Sequence, residues 1–272
     1  MKVKISRYKT LAIVLSCIIV ITGLIIVACV PEYSYKSMPT ILSSYTFTGY
    51  TIPEVKPPGS VNLTVAVVEP YYKERIGAEY SSVTKSFSSS VGAGLDQILV
   101  AKGFTTKGPY GSLDEVPFPD KKASNLTLTQ TVFMLATYKG LVTNAYEHFD
   151  RGDGAPINAY VETRRLAVEV WIAFEMREPL SAEKMWIKKL DLGVFEEDYQ
   201  VATRSYFHQQ DPWAPVQRRS GEVLFNTKAD VFAGVLSKIY PKVMQSAWVY
   251  LNAEEMHTLD EKGKEIRQLK RY

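Results

Sequence analysis

Ile26-Val27-Ala28-Cys29 places small residues before a thiol at the exit of a long apolar run. Such a thiol is the acceptor in lipoprotein acylation: a diacylglycerol joins the sulfur and the chain is cut just before the cysteine, as in a bacterial lipobox. Cys29 is therefore the expected lipid attachment point and residues 1–28 the expected signal peptide. The run is led by Lys2, Lys4, Arg7 and Lys9, and a basic start, apolar body and small-residue exit describe a secretory signal. At about 1.5 Å per residue the same run nearly spans a bilayer, so length alone also fits a retained helix. The exit favours the lipoprotein. Val30 follows the cysteine in place of the Asp that marks inner-membrane retention, which directs the expected location to the outer membrane. Each buried methylene adds about 0.8 kcal/mol, so two or more acyl chains hold firmly where one is marginal.

Other candidate chemistry is sparse. His148, His208 and His257 share no ligand spacing, and a metal site needs at least three converging donors. Asp150 to Gly154 reads DRGDG, containing an Arg-Gly-Asp tripeptide but no calcium-loop ligand series; a charged, Gly-rich turn explains it as well. VGAGLDQ at 91–97 imitates a dinucleotide fingerprint but sits within a predicted helix and has Gln97 where the third Gly belongs. Ser82 with Lys85 and Ser181 with Lys184 match Ser-x-x-Lys without that enzyme class's companion motifs. Asn62 and Asn125 form sequons, which carry no meaning if the lipobox places the chain in a bacterium. The expectation is a non-enzyme without cofactor or metal.

Without the four basic residues of the signal, the 32 Lys and Arg fall to 28 against 29 Asp and Glu, a balance of about −1. So even a balance does not describe a nucleic-acid binder. Cys17 would leave with the signal, so only Cys29 remains and no disulfide forms once it is acylated. A core must hold the chain, and 46% apolar residues can build one.

Residues 29–60 carry Pro31, Pro39, Pro53, Pro57 and Pro58 and read as a tether, with a short strand near 45–50; fully extended, it would reach about 100 Å. A globular domain is expected over 61–252. The β-branched run 61–68 reads as a buried strand, followed by a helix with Phe87, Val91, Leu95, Ile98 and Leu99 on one face, closed by Gly103. A second strand at 104–107 completes a strand-helix-strand unit, and 126–138 reads as a third. Leu166, Val168, Val170, Ile172, Phe174 and Met176 repeat with period two, so this strand has one face in a core. Residues 185–192 return as its hairpin partner. Val231, Val235, Ile239, Val243 and Ala247 mark a second helix capped at Asn226 or Thr227, kinked or split by Pro241. Residues 253–272 read as a charged tail with a weak apolar stripe, extending the helix or fraying. The fold class is mixed α/β: one mixed sheet, two main packing helices, a long hairpin and a C-terminal helix.

The segment 205–221 combines Tyr206, Phe207 and Trp213 with Arg218 and Arg219, residue types that interface centres favour, and is the candidate interface. A long loop folding its aromatics back on the sheet fits equally.

The lipobox, VNLTVAVVEP, LDQILVAKGF, EPLSAEKMWIKKLDL and VLSKIYPKVMQSAWVYL together resemble the neuraminyllactose-binding haemagglutinin lipoproteins over 61–252. The resemblance implies a bacterial surface or flagellar-sheath lipoprotein with an α/β body, in a family described as adhesins for sialylated glycans. That family's proposed glycan-binding stretch is a Lys/Arg-rich hexamer before the long strand. Here that segment, 140–160, has Arg151 as its only Lys or Arg, so no sugar-binding residue carries over. The expected function is an outer-membrane lipoprotein with a structural or assembly role in an envelope machine, a secretion system or flagellar ring or sheath. The alternative is a surface adhesin for host glycan or protein. Expected partners are the membrane, through the lipid, and envelope proteins.

Overall fold

The computed structural model describes residues 35–73, 76–150, 156–207 and 218–270. Eight strands form one mixed sheet: β1 (Lys36–Ser37), β2 (Thr64–Val68), β3 (Tyr71–Tyr72), β4 (Thr105–Tyr110), β5 (Leu126–Asp150), β6 (Pro156–Arg177), β7 (Lys184–Phe207) and β8 (Arg218–Asn226). Their order is β4-β2-β5-β6-β7-β8, with β1 and β3 as short additions to β5. The strand-helix-strand start is present: β2 leads into α1 (Ser81–Ala101), which returns the chain to β4 parallel to β2, and a short α2 (Phe118–Ala123) leads on to β5. β5 pairs with β2 from the other side, and β5 to β8 are antiparallel neighbours.

Phe87, Val91, Leu95, Ile98 and Leu99 of α1 are all fully buried, because their 3–4 spacing lays them along one stripe. Gly103 ends the helix at φ +90°, a left-handed conformation that costs a side chain dearly. The six period-two residues of β6 are buried beneath α1 and α3 (Lys228–Tyr250), with Val235, Ile239, Val243 and Ala247 among them. Each such burial stabilises by roughly 1.5–3 kcal/mol. The helices approach closely at Gly94: a Cβ there would lie 2.6 Å from both Met244 Sδ and Tyr240 Oη. The glycines of VGAGLDQ belong to α1, and Gly94 serves this helix contact.

Several expectations are corrected. Pro241 does not divide α3, which runs through it as one helix; the lost backbone bond is outweighed by burial of Ile239, Tyr240, Val243 and Met244 around it. Of the two candidate caps, Thr227 takes the N-cap position without a side-chain cap bond, while Asn226, one residue earlier, accepts from the Lys228 N–H at 3.0 Å. β5, β6 and β7 each run well beyond the spans read from the sequence.

The charged C-terminal segment is a helix, α4 (Ala253–Lys270), with Met256, Leu259 and Ile266 buried. Polar contacts fix it to the body. Arg267 Nε donates to Glu178 Oε1 at 2.6 Å, Trp186 Nε1 to Glu255 Oε1 at 2.6 Å, and Asn125 Nδ2 to Asp260 Oδ1 at 2.9 Å.

The Pro-rich segment is also part of the body from Tyr35 onward. No strand forms at 45–50. Instead Phe47, 3% exposed, meets Phe87 edge-on at 5.3 Å; Tyr45 Oη donates to Asp230 Oδ1 at 2.9 Å; and the Lys56 N–H donates to Ala101 O at 2.7 Å. Residues 35–60 thus form a strap over α1 and α3. No described helix is long and apolar enough to cross a membrane.

Candidate functional site: the open sheet face and its cleft

Strand alternation gives the sheet two unlike faces. Leu126, Leu128, Val132 and Met134 of β5 look towards the helices; Thr127, Thr129, Thr131, Phe133 and Leu135 take the other side. On that second face Phe133 stands opposite Trp171, and Leu135 opposite Glu169. β7 continues the rows, with Asp191 opposite Trp171, Ile187 opposite Glu175 and Val194 opposite Glu169. At the centre the Phe133 and Trp171 rings stack 5.3 Å apart and 8° from parallel. Lys189 Nζ lies 4.5 Å and Lys73 Nζ 5.9 Å from the Trp171 ring. Leu135, Ile187 and Val194 are exposed around it, Val194 at 60%. The result is an aromatic and aliphatic centre ringed by charge.

A cleft of about 640 Å³ adjoins this face, lined by Pro70, Tyr71, Leu113, Thr129, Thr131 and Arg177 among others. Its cause is a lapse in pairing. β2 last meets β5 at Val67 and Leu128, β3 first meets it at Tyr71 and Thr131, and the chain between steps aside so that Glu69 N–H donates to Tyr110 O at 2.7 Å. The opening lies past the carboxyl ends of β2 and β4, where parallel strands commonly leave a binding crevice.

Its one cation, Arg177, is already committed to partners at the cleft wall. Arg177 donates to Thr129 Oγ1 at 3.3 Å, Ala182 O at 3.0 Å and Glu175 Oε2 at 2.6 Å, while Lys184 Nζ holds Glu175 Oε1 at 2.6 Å. Burial pushes the Glu175 carboxyl up, but hydrogen bonds from Lys184 and Arg177 outweigh it and keep the group below the usual carboxylate range. It remains ionised at neutral pH, holding Arg177 in place behind the cleft, and is not a proton donor. Lys184, so committed, is no general base for Ser181, whose hydroxyl instead accepts from the Glu183 N–H at 3.3 Å.

Gln130 is the odd member of β5. It stands between Leu128 and Val132, is 1% exposed, and neither its amide nitrogen nor its amide oxygen has a partner. An unmet buried amide costs about 1–3 kcal/mol. Gln130→Met, which keeps the shape and removes both polar atoms, is expected to raise stability by about 1–2 kcal/mol in urea unfolding. A destabilised variant would mean that the amide does bond in the folded chain.

Among the residues singled out from the sequence, Cys29 and Trp213 lie outside the described residues, as do His208 and 151–155. Tyr206 and Phe207 end β7, directly opposite Arg219 and Arg218 of β8, so the candidate interface is a hairpin end and not a loop at these positions. His148 bonds Asn158 Oδ1 at 2.6 Å, and His257 is exposed on α4. No three His, Cys, Asp or Glu side chains converge among the described residues. The Phe133–Trp171 stack was missed. Its signal was two aromatics in the polar phase of alternating strands.

No family model and no curated protein matches the chain. Its fold is similar to that of a solved Helicobacter pylori protein described as a neuraminyllactose-binding hemagglutinin homolog: 16% identity, TM-score 0.52, 82% of this chain and 99% of that one. A Xanthomonas campestris protein of family DUF330 is more remote, at 12% identity and TM-score 0.28, with 81% and 99% covered. The first of these defines a distant relationship of fold.

Proposed function

We propose that this chain is a lipid-anchored lipoprotein of a bacterial outer membrane with a structural or assembly role in the envelope, such as a secretion-system or flagellar ring or sheath component. Cys29 is the anchor, and the open sheet face is where an envelope protein docks. The observation that carries the docking face is the Phe133–Trp171 stack amid exposed Leu135, Ile187 and Val194, with Lys73, Lys189, Glu169 and Asp191 around it. Apolar and aromatic residues at the centre with charge at the rim match the anatomy of protein interfaces. Aromatic residues at such centres are worth about 2 kcal/mol or more on truncation, or over tenfold in affinity.

Crosslinking in intact bacteria, followed by detergent extraction and mass spectrometry, tests this. A defined set of envelope proteins is expected in fixed ratio, reduced at least about tenfold by Trp171→Ala or Val194→Lys while the fold is kept. An unchanged set would sink the docking face.

A second reading is a surface adhesin. It is favoured by the fold likeness to a protein described as a neuraminyllactose-binding hemagglutinin homolog and by the cleft, with Tyr71 exposed at its rim. It expects removal by external protease on intact cells and binding to immobilised sialyllactose, weakened by Tyr71→Ala. Protection from protease would end it.

A further inference from the structure

The strap fixes how far the body can stand from the membrane. Tyr35 meets the His148 ring edge-on at 6.5 Å, Lys36 and Ser37 pair in parallel with Phe149 and Asp150, and Lys36 Nζ holds Glu147 Oε1 at 2.7 Å. From there the strap is bound to the helices, so it supplies no slack. Only the step from Cys29 to Tyr35 separates the lipid from the body, and six residues span at most about 20 Å. An acylated Cys29 therefore enters its bilayer within about 20 Å of the Tyr35–His148 contact.

That contact sits at one end of the sheet, together with Asp150 of β5, Pro156 of β6, Phe207 of β7 and Arg218 of β8. Close to it, residues 137–146 of β5 are exposed without interruption. Leu141 is 54% and Val142 47% exposed, with Tyr146 close behind, and Lys139 is the only charge in the run. Val142 is six residues from His148, about 20 Å along a strand. Among the described residues, β5 pairs from 133 to 145 with β6 alone.

The other long edge is built differently. β7 carries Lys188, Lys189, Asp191, Glu196, Glu197 and Asp198, charges that keep water and strangers at a strand edge. Between Gly140 and Tyr146, the exposed part of the β5 edge nearer the lipid, no residue is charged.

We propose that residues 141–146 of β5 form a membrane-contacting edge, laid on the bilayer surface by the lipid on Cys29. Leu141 and Val142 meet the acyl boundary and Tyr146 the headgroup level, where amphipathic rings settle. The body is thereby held sheet-end down, with the open face standing away from the lipid. This rests on the lipoprotein reading.

The test uses the full lipidated chain in vesicles of phosphatidylethanolamine and phosphatidylglycerol carrying a headgroup nitroxide. Acylation blocks Cys29 and Cys17 leaves with the signal, so Val142→Cys gives one site for a fluorophore. Val249→Cys, exposed near the far end of α3, is the reference. Quenching at Val142 is expected to exceed that at Val249 several-fold, and a long Gly-Ser insertion between Pro31 and Glu32 should remove the difference. Equal quenching in protein whose mass shows acylated Cys29 overturns this inference alone. A mass without the acyl group overturns the lipoprotein reading and this one with it. A label shielded from water yet unquenched by the lipid assigns the edge to a protein neighbour, which also overturns it.

Discussion

Glu178→Ala is expected to lower folding stability by about 3 kcal/mol, the lower end of what removing one partner of a buried ion pair costs. Glu178 is 0% exposed. Its Oε1 accepts from Arg267 Nε at 2.6 Å, its Oε2 accepts from the Ser181 N–H, and its own N–H donates to Glu183 O at 2.9 Å. One carboxylate thus joins the β6–β7 turn to α4. Arg267 also donates to Ser124 O at 2.9 Å, so its guanidinium is placed against the body and loses its counter-charge when Glu178 goes. The guanidinium is partly solvated, which is why the lower end applies. α4 should then loosen, exposing Met256, Leu259 and Ile266. Urea unfolding measures the loss, and hydrogen exchange across 253–270 locates it. A change under about 1 kcal/mol would show that the Glu178 tie adds little to what the apolar stripe and the other polar contacts of α4 already hold.

The same carboxylates set an acid limit. Burial pushes the Glu178 carboxyl up, but the bonds from Ser181, Arg267 and Leu180 outweigh it and hold it below the ordinary value; Glu175 behaves alike through Lys184 and Arg177. A folded pKa below the unfolded one adds stability that is complete above the unfolded pKa. It is lost as pH falls through the folded one. The urea midpoint should therefore be level on the neutral side and fall below about pH 4.3, where free Glu protonates. Glu178→Gln, which cannot ionise, should flatten that fall; an unchanged acid slope would clear Glu178 of the effect.

Phe47→Ala is the second large loss, about 3 kcal/mol or more for emptying a buried aromatic site. Phe47 packs edge-on against Phe87 in the main core, and with Tyr45 on Asp230 it pins the strap to both helices. Without it the segment would lift as a unit, and protease should cut between residues 48 and 58 much faster than in the parent. A freed strap is the long tether expected from the sequence, and under the proposed lipid anchor the body would no longer be confined near the membrane. If Phe47→Ala changes stability by less than about 1 kcal/mol, the strap is a spacer after all.

How much was legible follows from what each segment buries. β6 could be read from 166 to 176 because one face enters a core, so selection for apolar residues falls on alternate positions and nowhere else. α1 and α3 were legible for the same reason at period 3.6. The far ends of β5, β6 and β7 were not. Between 137 and 146 all of β5 is exposed, no face is singled out, and no period is written into the residues. Only pairing with β6 makes that stretch a strand.

The candidate site divides in the same way. The proposed lipid attachment at Cys29 rests on a few contiguous residues, and the strand-helix-strand start and the alternating β6 are local patterns. These belonged to the amino-acid order. The Phe133–Trp171 stack, the Glu178–Arg267 tie and the Phe47–Phe87 contact each join residues far apart in the chain, and neither partner's type announces the other. The strap is the clearest case. A Pro-rich segment is extended whether it hangs in solvent or lies in a groove, so composition set its backbone while packing against two distant helices set its place.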